Sequence, residues 1–255
     1  MSRIAVFVYG LVGYAVSLGV FVYAMGFVGG FYTPTLLDGP PRSSLAAALA
    51  INVGLVLLFA LQHSIMARPA FKEWWTRFVP QAAERSTYLL ASSVALGAVM
   101  VFWQPIGGTV WQTEGVVRAA VISLYVCGWL LLLYATFLID HFDLFGLKQV
   151  WRQLTGKAYR APQFHTPSLY KVVRHPLYIG WLVIFWAAPT MTASHLVFAL
   201  LTTVYILVAI RLEERDLVSA FGDDYARYRD NTPMLVPRLS GERAPAMQAK
   251  NRARI

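Results

Sequence analysis

Long apolar blocks separated by short polar segments dominate the pattern of hydrophobic and polar positions along this 255-residue chain. A helix needs about 17 to 25 mainly apolar residues to cross the hydrocarbon core of a bilayer, and four blocks reach that length. The pattern therefore predicts four full membrane-spanning helices, at about 4–28, 44–66, 87–104 and 117–139.

A fifth apolar segment, 177–210, is too long for one crossing. As a single straight helix it would extend for roughly 50 Å, whereas the hydrocarbon core is about 30 Å thick. Pro189 and a polar run that follows it lie near the middle, and a proline inside a helix breaks or kinks it. We therefore predict a helical hairpin that enters and leaves on the same side, with arms at 177–187 and 195–210. One tilted, kinked helix that exits on the opposite face is the alternative.

Composition and charge agree with a membrane protein. Only 14% of the residues are charged, well below the roughly 25% of soluble domains. The net charge of +9 is concentrated between and after the apolar blocks, where the positive-inside rule places it, so nucleic-acid binding is not expected. The rule predicts an integral membrane protein with cytoplasmic N- and C-termini. The predicted cytoplasmic loops are 67–85 and 141–176, and the predicted outer loops are 33–43 and 105–115.

A hairpin would bring two distant polar motifs together at the membrane surface. The first is Arg174-His175-Pro176-Leu177-Tyr178, and the second is Arg211-Leu212-Glu213-Glu214-Arg215. Together they offer cations, carboxylates, an imidazole and a phenol. S-adenosylmethionine fits such a set, because its carboxylate suits arginine, its ammonium and ribose hydroxyls suit carboxylates, and its adenine suits an aromatic or aliphatic wall. The alternative is that the arginines only snorkel and the Glu-Arg neighbours are solvated pairs.

A second polar group follows the fourth span. Asp140, His141 and Asp143 are three ionisable residues within four positions at the bilayer boundary, where such groups are costly unless paired or functional. His141 is a candidate general base, since its pKa lies near operating pH and a neighbouring carboxylate can orient it. A His-Asp pair that only caps the helix end is the alternative. Gln62-His63, at the end of the second span, is interpreted as an interhelical hydrogen bonder, and no metal site is predicted.

The C-terminal motifs also carry a family resemblance. Arg174-His175-Pro176-x-Tyr178-x-Gly180, then Glu213-Glu214, then Phe221-Gly222-x-x-Tyr225-x-x-Tyr228 resembles the signature of the isoprenylcysteine carboxyl methyltransferase and phospholipid methyltransferase superfamily. The resemblance covers about 168–238. It implies that the first segment and the glutamate pair wrap S-adenosylmethionine, closed over by the Tyr225-Tyr228 helix. The cofactor-binding residues expected on this basis are Arg174, His175, Pro176, Tyr178, Gly180, Arg211, Glu213, Glu214, Tyr225 and Tyr228.

Within that superfamily, the segment 135–146 is most similar to bacterial methanethiol S-methyltransferases, which make dimethyl sulfide. This resemblance implies that the protein lies in a bacterial inner membrane. The expected function is therefore S-adenosylmethionine-dependent methylation of methanethiol or a similar small thiol, with His141, Asp140 and Asp143 on the acceptor side. An NADPH-dependent membrane reductase of the sterol-reductase type shares the hairpin architecture and is one alternative. A non-catalytic small-molecule transporter is another, although only one broken segment is present. The sequence does not fix the acceptor or the oligomeric state.

The expected fold class is all-α and integral to the membrane. It comprises four full transmembrane helices, the C-terminal hairpin (five spans if the hairpin counts as one) and a cytoplasmic C-terminal helix. We therefore expect four regions: a four-helix transmembrane region, 1–140; a cytoplasmic loop, 141–176; the hairpin and cofactor-binding region, 177–238; and a disordered basic tail, 239–255.

Overall fold

A computed structural model describes residues 2–159 and 163–238, so the predicted tail at 239–255 lies outside the described residues. The described chain forms ten α-helices and two short strands. In chain order they are α1 (Arg3–Gly29), α2 (Leu45–Ala67), α3 (Pro69–Trp75), α4 (Glu84–Phe102), β1 (Thr109–Gln112), α5 (Gly115–Ile139), α6 (His141–Leu144), α7 (Leu147–Leu154), α8 (Pro176–Trp186), β2 (Thr190–Thr192), α9 (Ala193–Phe221) and α10 (Asp223–Asn231).

Five of these helices are long and apolar enough to cross a membrane, so the protein is an integral membrane protein. They are α1, α2, α4 with the 3-10 turn before it, α5 and α9, while α8 is a shorter apolar helix. The four full spans predicted from the sequence are confirmed, and the ends of α1, α2, α4 and α5 differ from the predicted ends by no more than three residues. Ser2 and Ser44 cap α1 and α2 by accepting backbone N–H groups, which fixes where these two helices begin.

The predicted hairpin is confirmed as α8 and α9, which pack against each other on either side of the break at Pro189. Thr192 caps α9 by accepting the N–H of His195 at 3.0 Å. The second arm is longer than predicted, since α9 continues from 210 to Phe221. Charged residues interrupt the apolar pattern after 210, but most residues of 211–221 are good helix formers, so the helix continues beyond the apolar segment that guided the prediction.

Two strands were not expected in an all-α protein. β1 and β2 form an antiparallel pair with Thr109 opposite Thr192 and Gln112 opposite Thr190. Ser194 also donates to the carbonyl of Leu37 at 2.8 Å. The turn of the hairpin therefore meets the loops 30–44 and 103–114, and we call this the far end. The opposite end, which we call the site end, holds the start of α1 and the segments 68–83, 140–159, 163–175 and 222–238.

The spanning helices surround a common interior. Neighbours contact each other in the order α1, α4, α2, α9, α8 and α5. The Tyr125 hydroxyl on α5 donates to the carbonyl of Met25 on α1 at 2.7 Å, which closes the ring. Large apolar side chains such as Phe27, Trp103 and Phe198 fill the interior toward the far end. The polar residues of the two sequence motifs lie at the site end.

The packing of α8 on α5 depends on a missing side chain. A Cβ atom at Gly180 would lie 3.1 Å from the backbone nitrogen of Leu132 and 3.2 Å from the carbonyl oxygen of Gly128. Small residues allow membrane helices to approach this closely. The contact holds the first turns of α8, and with them His175 and Tyr178, in a fixed position relative to α5.

Candidate active site

Glu214 joins the two ends of the hairpin. Its Oε1 atom accepts a hydrogen bond from Arg174 Nε at 2.7 Å and lies 2.9 Å from His175 Nε2. The side chains of Arg174 and Glu214 are only 11% and 13% exposed, so the ion pair is largely shielded from solvent. The predicted meeting of the two motifs is therefore present, with one carboxylate oxygen at its centre.

Glu213 makes a parallel contact with α8. The Tyr178 hydroxyl donates to Glu213 Oε2 at 3.0 Å. Pro176 occupies the first turn of α8, where its missing N–H costs no hydrogen bond, and it is fully buried. The adjacent glutamates of α9 thus bind one side chain just before α8, His175, and one in its first turn, Tyr178.

The segment after α10 also binds the first motif. The backbone N–H groups of Arg174 and His175 donate to the carbonyls of Pro233 and Met234 at 2.9 and 3.2 Å. Arg174 Nη1 donates to the carbonyl of Arg229 at 2.6 Å. Much of the Arg174 guanidinium is therefore engaged by the protein itself, and Arg174 acts first as a connection between α8, α9 and the C-terminal segment.

Helix α10 places the two predicted tyrosines beside the site. Tyr225 is almost fully buried, and Tyr228 donates its hydroxyl to the carbonyl of Tyr170 at 2.5 Å. Burial raises the pKa of Tyr228 to about 12 and that of Tyr225 further, so both phenols are neutral at physiological pH. Phe164 packs on both rings, with centroid distances of 5.7 and 5.5 Å. Sequence reasoning missed Phe164, whose only signal is an aromatic residue in a polar loop.

Two other residues predicted to bind the cofactor make no hydrogen bond to the side chains of Glu213 and Glu214 in the described part of the chain. Gly180 faces α5, and its close contact with Leu132 and Gly128 explains the glycine without a ligand. Arg211 is exposed on α9. Their cofactor-binding roles stay predictions.

His141 lies in an aromatic pocket at the end of α5. Its Nδ1 is 2.8 Å from Thr136 Oγ1 and its Nε2 is 2.9 Å from the Tyr14 hydroxyl. Because the Thr136 hydroxyl already donates to the carbonyl of Leu133, the arrangement favours a proton on Nδ1 and a lone pair on Nε2. The ring is parallel to that of Phe137 at 4.4 Å. Burial lowers the pKa of His141, which favours the neutral imidazole.

The structure does not bring Asp140 and Asp143 to His141. Asp140 caps α6 by accepting the N–H of Asp143, and it forms an ion pair with Lys148. Asp143 Oδ2 accepts the Tyr159 hydroxyl at 3.1 Å. Both aspartates line a cleft of about 660 Å³ whose walls do not include His141. The expectation that a carboxylate orients His141 is therefore wrong, because Thr136 holds Nδ1 instead.

A third polar cluster joins α2 and α4. His63 Nε2 is 2.7 Å from the Tyr88 hydroxyl, and its Nδ1 is 3.0 Å from Ser92 Oγ. Gln62 Nε2 donates to the same serine oxygen at 3.3 Å. The predicted interhelical hydrogen bonding of Gln62-His63 is confirmed.

Comparison with known proteins identifies the family. Residues 123–224 match the family model described as phospholipid methyltransferase. The chain is 51% identical to a methanethiol S-methyltransferase of Crocosphaera subtropica over 93% of both chains. It is 49% identical to methanethiol S-methyltransferase 2 of Bradyrhizobium diazoefficiens over 95% of this chain and 93% of the relative. It is 45% identical to a methanethiol S-methyltransferase of Mycobacterium tuberculosis over 93% of this chain and 98% of the relative.

The chain belongs to the phospholipid methyltransferase family. No solved structure matches it. Membership makes it a membrane methyltransferase whose cofactor is S-adenosylmethionine.

The unused hydrogen-bonding capacity of the hairpin site fits that cofactor. Within the described ranges, Glu213 Oε1 and Glu214 Oε2 have no hydrogen-bond partner, and neither does Arg174 Nη2. Two free carboxylate oxygens suit an ammonium group or ribose hydroxyls, and a free guanidinium nitrogen suits a carboxylate. Tyr225, Tyr228 and Phe164 provide an aromatic surface alongside.

Proposed function

We propose that this methyltransferase methylates methanethiol to dimethyl sulfide. The observation that carries the choice of acceptor is identity of 45–51% to methanethiol S-methyltransferases over more than nine-tenths of the chain. The same relatives favour this function over the membrane reductase and the transporter that the sequence left open.

The hairpin site is proposed to hold the cofactor. Glu213 and Glu214 bind its ammonium and ribose hydroxyls, and Arg174 Nη2 binds its carboxylate. When bound, S-adenosylmethionine supplies a methyl group on a positively charged sulfur, which makes the carbon electrophilic. The protein's own contribution is to orient the acceptor, to remove its proton and to exclude water. Tyr178 and His175 keep the two glutamates in place.

His141 is one candidate for the acceptor-side base, and it is the candidate that the sequence suggested. Its Nε2 lone pair faces the Tyr14 hydroxyl, so a thiol proton would reach it through Tyr14. Asp140 and Asp143 have no contact with this imidazole among their described hydrogen bonds, and their part in the proposal is limited to fixing the α5–α6 corner. Loss of turnover in His141→Gln at unchanged cofactor affinity would support this role.

The site end is proposed to face the cytoplasm of a bacterial cell. The basic residues Arg68, Lys72, Arg77, Lys148 and Arg152 lie in its loops and short helices, as the positive-inside rule requires. Cofactor made in the cytoplasm would then reach the site without crossing the membrane.

Cells that express the chain and receive methanethiol provide the test. Dimethyl sulfide should accumulate in the headspace above that of cells with an empty vector. The Glu214→Ala variant, made at the same membrane level, should reduce the signal to that of the vector control. Equal headspace signals from the wild-type chain and the vector would contradict methanethiol as the acceptor.

A further inference from the structure

A histidine that the sequence did not single out as catalytic lies inside the membrane-spanning bundle. His63 belongs to α2, and its imidazole contacts the Tyr88 hydroxyl and Ser92 of α4. Phe59 stacks on the ring at 5.3 Å. An ionisable side chain in a spanning helix is costly, which makes it a candidate for function when its surroundings include a substrate path.

The chain places this pair close to the glutamates of α9. α2 and α9 both run from the far end to the site end, and Arg68 fixes their register by binding the carbonyl of Leu212 at 3.0 Å and Asp216 at 2.7 Å. His63 lies five positions before Arg68. Because Arg68 contacts α9 between Leu212 and Asp216, a rise of 1.5 Å per residue puts the level of His63 on α9 roughly 3–9 Å from Glu213 toward the membrane interior.

Aromatic contacts agree with that register. Phe59 meets the edge of Tyr205 on α9 at 5.7 Å, one helical turn before the level of His63. His63 therefore lies on the helix that contacts the part of α9 preceding the cofactor-side glutamates.

The pair is poised for proton transfer. With Nδ1 protonated and donating to Ser92, Nε2 of His63 accepts the Tyr88 hydroxyl at 2.7 Å. The Gln62 amide oxygen beside it is buried and lacks a partner among the described residues. Such an arrangement suits an acceptor that is small and largely apolar but carries one weakly polar hydrogen.

We propose, resting on the proposed function, that Tyr88 and His63 take up the proton of the methanethiol acceptor. The sulfur–hydrogen bond breaks and its proton passes to the Tyr88 oxygen, while the hydroxyl proton of Tyr88 passes to Nε2 of His63. The electron pair stays on the acceptor sulfur, which becomes the thiolate that accepts the methyl group. The charged and titratable groups around the pair are Arg68, Arg85, Tyr178, Tyr205 and Glu213.

The position of His63 favours it over His141 as the base. The ring of His141 is enclosed by Phe137 and Phe145, with centroid distances of 4.4 and 4.6 Å. His63, by contrast, lies on α2, which packs against the glutamate-bearing α9.

A methyl acceptor that is already ionised, and so needs no base, distinguishes a catalytic role of His63 and Tyr88 from a structural one. The purified full chain is assayed with methanethiol and with methaneselenol, which is largely ionised at neutral pH. In His63→Gln and Tyr88→Phe, kcat for methanethiol should fall by roughly 100-fold or more, the usual contribution of a general base. Turnover of methaneselenol and calorimetric affinity for S-adenosylhomocysteine should change little. The rate of His63→Gln with methanethiol should rise with pH where the wild-type rate is already level, because hydroxide then replaces the imidazole.

Matched controls are the buried imidazole and phenol of the far end. His195→Gln loses a contact with the carbonyl of Phe185, and Tyr125→Phe loses one with Met25, so both should lower thermal stability without changing the ratio of the two acceptors. Equal loss with both acceptors in His63→Gln and Tyr88→Phe would overturn the inference. An acceptor-dependent loss in His141→Gln alone would assign the base to His141 instead. A wild-type chain that methylates neither acceptor, yet binds S-adenosylhomocysteine, would contradict the proposed function itself.

Discussion

His175 and Glu214 lie 39 positions apart, yet His175 Nε2 and Glu214 Oε1 are 2.9 Å apart. The same oxygen accepts a hydrogen bond from the Arg174 guanidinium. A contact of this kind requires the chain to cross the bundle and return, as α8 and α9 do. The hairpin and the cofactor site are therefore one structural feature, and Glu214 is where they meet.

Removing Glu214 should disable the site and destabilise the fold. Glu214→Ala leaves Arg174 and His175 largely buried without their acceptor. Breaking a buried ion pair on one side costs about 3–5 kcal/mol, much of it from the charge left behind. We expect a lower thermal midpoint and loss of calorimetric binding of S-adenosylhomocysteine. Glu73→Ala, on the exposed face of α3, is the control. Unchanged binding of S-adenosylhomocysteine by Glu214→Ala would show that Glu214 is not part of the cofactor site.

Gly180 should tolerate no side chain, although it touches no charged group of the site. The added Cβ of Gly180→Ala would press on the backbone of Leu132 and Gly128, and overpacking of this kind costs about 1–3 kcal/mol. The matched control is Gly54→Ala in α2, where nothing lies within 4 Å of the new atom. That control should be neutral or slightly stabilising, because alanine favours helix. Thermal unfolding in detergent measures both, and similar midpoints for the two variants would contradict the packing account.

Asp140 and Asp143 should respond to pH in opposite directions. Burial raises the pKa of Asp143, so the folded state holds its proton more tightly, and Asp143 adds stability as pH falls through its folded-state pKa. Burial also tends to raise the pKa of Asp140. The hydrogen bonds from Lys148 and from the Asp143 N–H outweigh that effect, so the pKa of Asp140 is lowered. Its contribution is present above the unfolded value of about 3.9 and is lost as pH falls through the folded value.

Substitution by asparagine tests this pair. At pH 7, Asp143→Asn should raise the thermal midpoint, because it removes a carboxylate that is costly to ionise. Asp140→Asn should lower the free energy of unfolding by about 1 kcal/mol or less, and with it the thermal midpoint, since the side chains of the Lys148 pair are about a third exposed. Thermal scans between pH 4 and 8 check both. A lower midpoint for both variants at pH 7 would show that Asp143 is stabilised as the anion.

The direction of insertion can be measured with single cysteines. In a Cys127→Ala background, Glu114→Cys at the far end should react with a membrane-impermeant maleimide on intact cells. Lys157→Cys at the site end should react only after permeabilisation. The opposite result would place the site outside the cell and contradict the cytoplasmic supply of cofactor.

The sequence was sufficient to predict the spans and the hairpin because both depend on length. Hydrocarbon thickness fixes how many apolar residues one crossing uses, and 177–210 exceeds that number with Pro189 at its middle. The motifs at its two ends then had to meet. The length of the apolar segment could not predict that α9 continues beyond 210, because the helix extends past the point where the continuous apolar pattern ends.

Side-chain partners at the acceptor side could not be predicted in the same way. Asp140, His141 and Asp143 are neighbours in the chain, but the left-handed backbone at Asp140, with φ 119°, turns the carboxylates toward the cleft and the imidazole toward Tyr14. Tyr14 lies 127 positions away, and no local pattern relates it to His141. The His63-Tyr88 pair likewise depends on how α2 packs on α4.

The most direct test of the central claim uses purified wild-type chain with methanethiol and S-adenosylmethionine that carries a deuterated methyl group. We expect dimethyl sulfide with one deuterated and one ordinary methyl group, detected by mass spectrometry of the headspace, and none with Glu214→Ala. Absence of the labelled product from wild-type chain that binds S-adenosylhomocysteine would contradict methyl transfer to methanethiol.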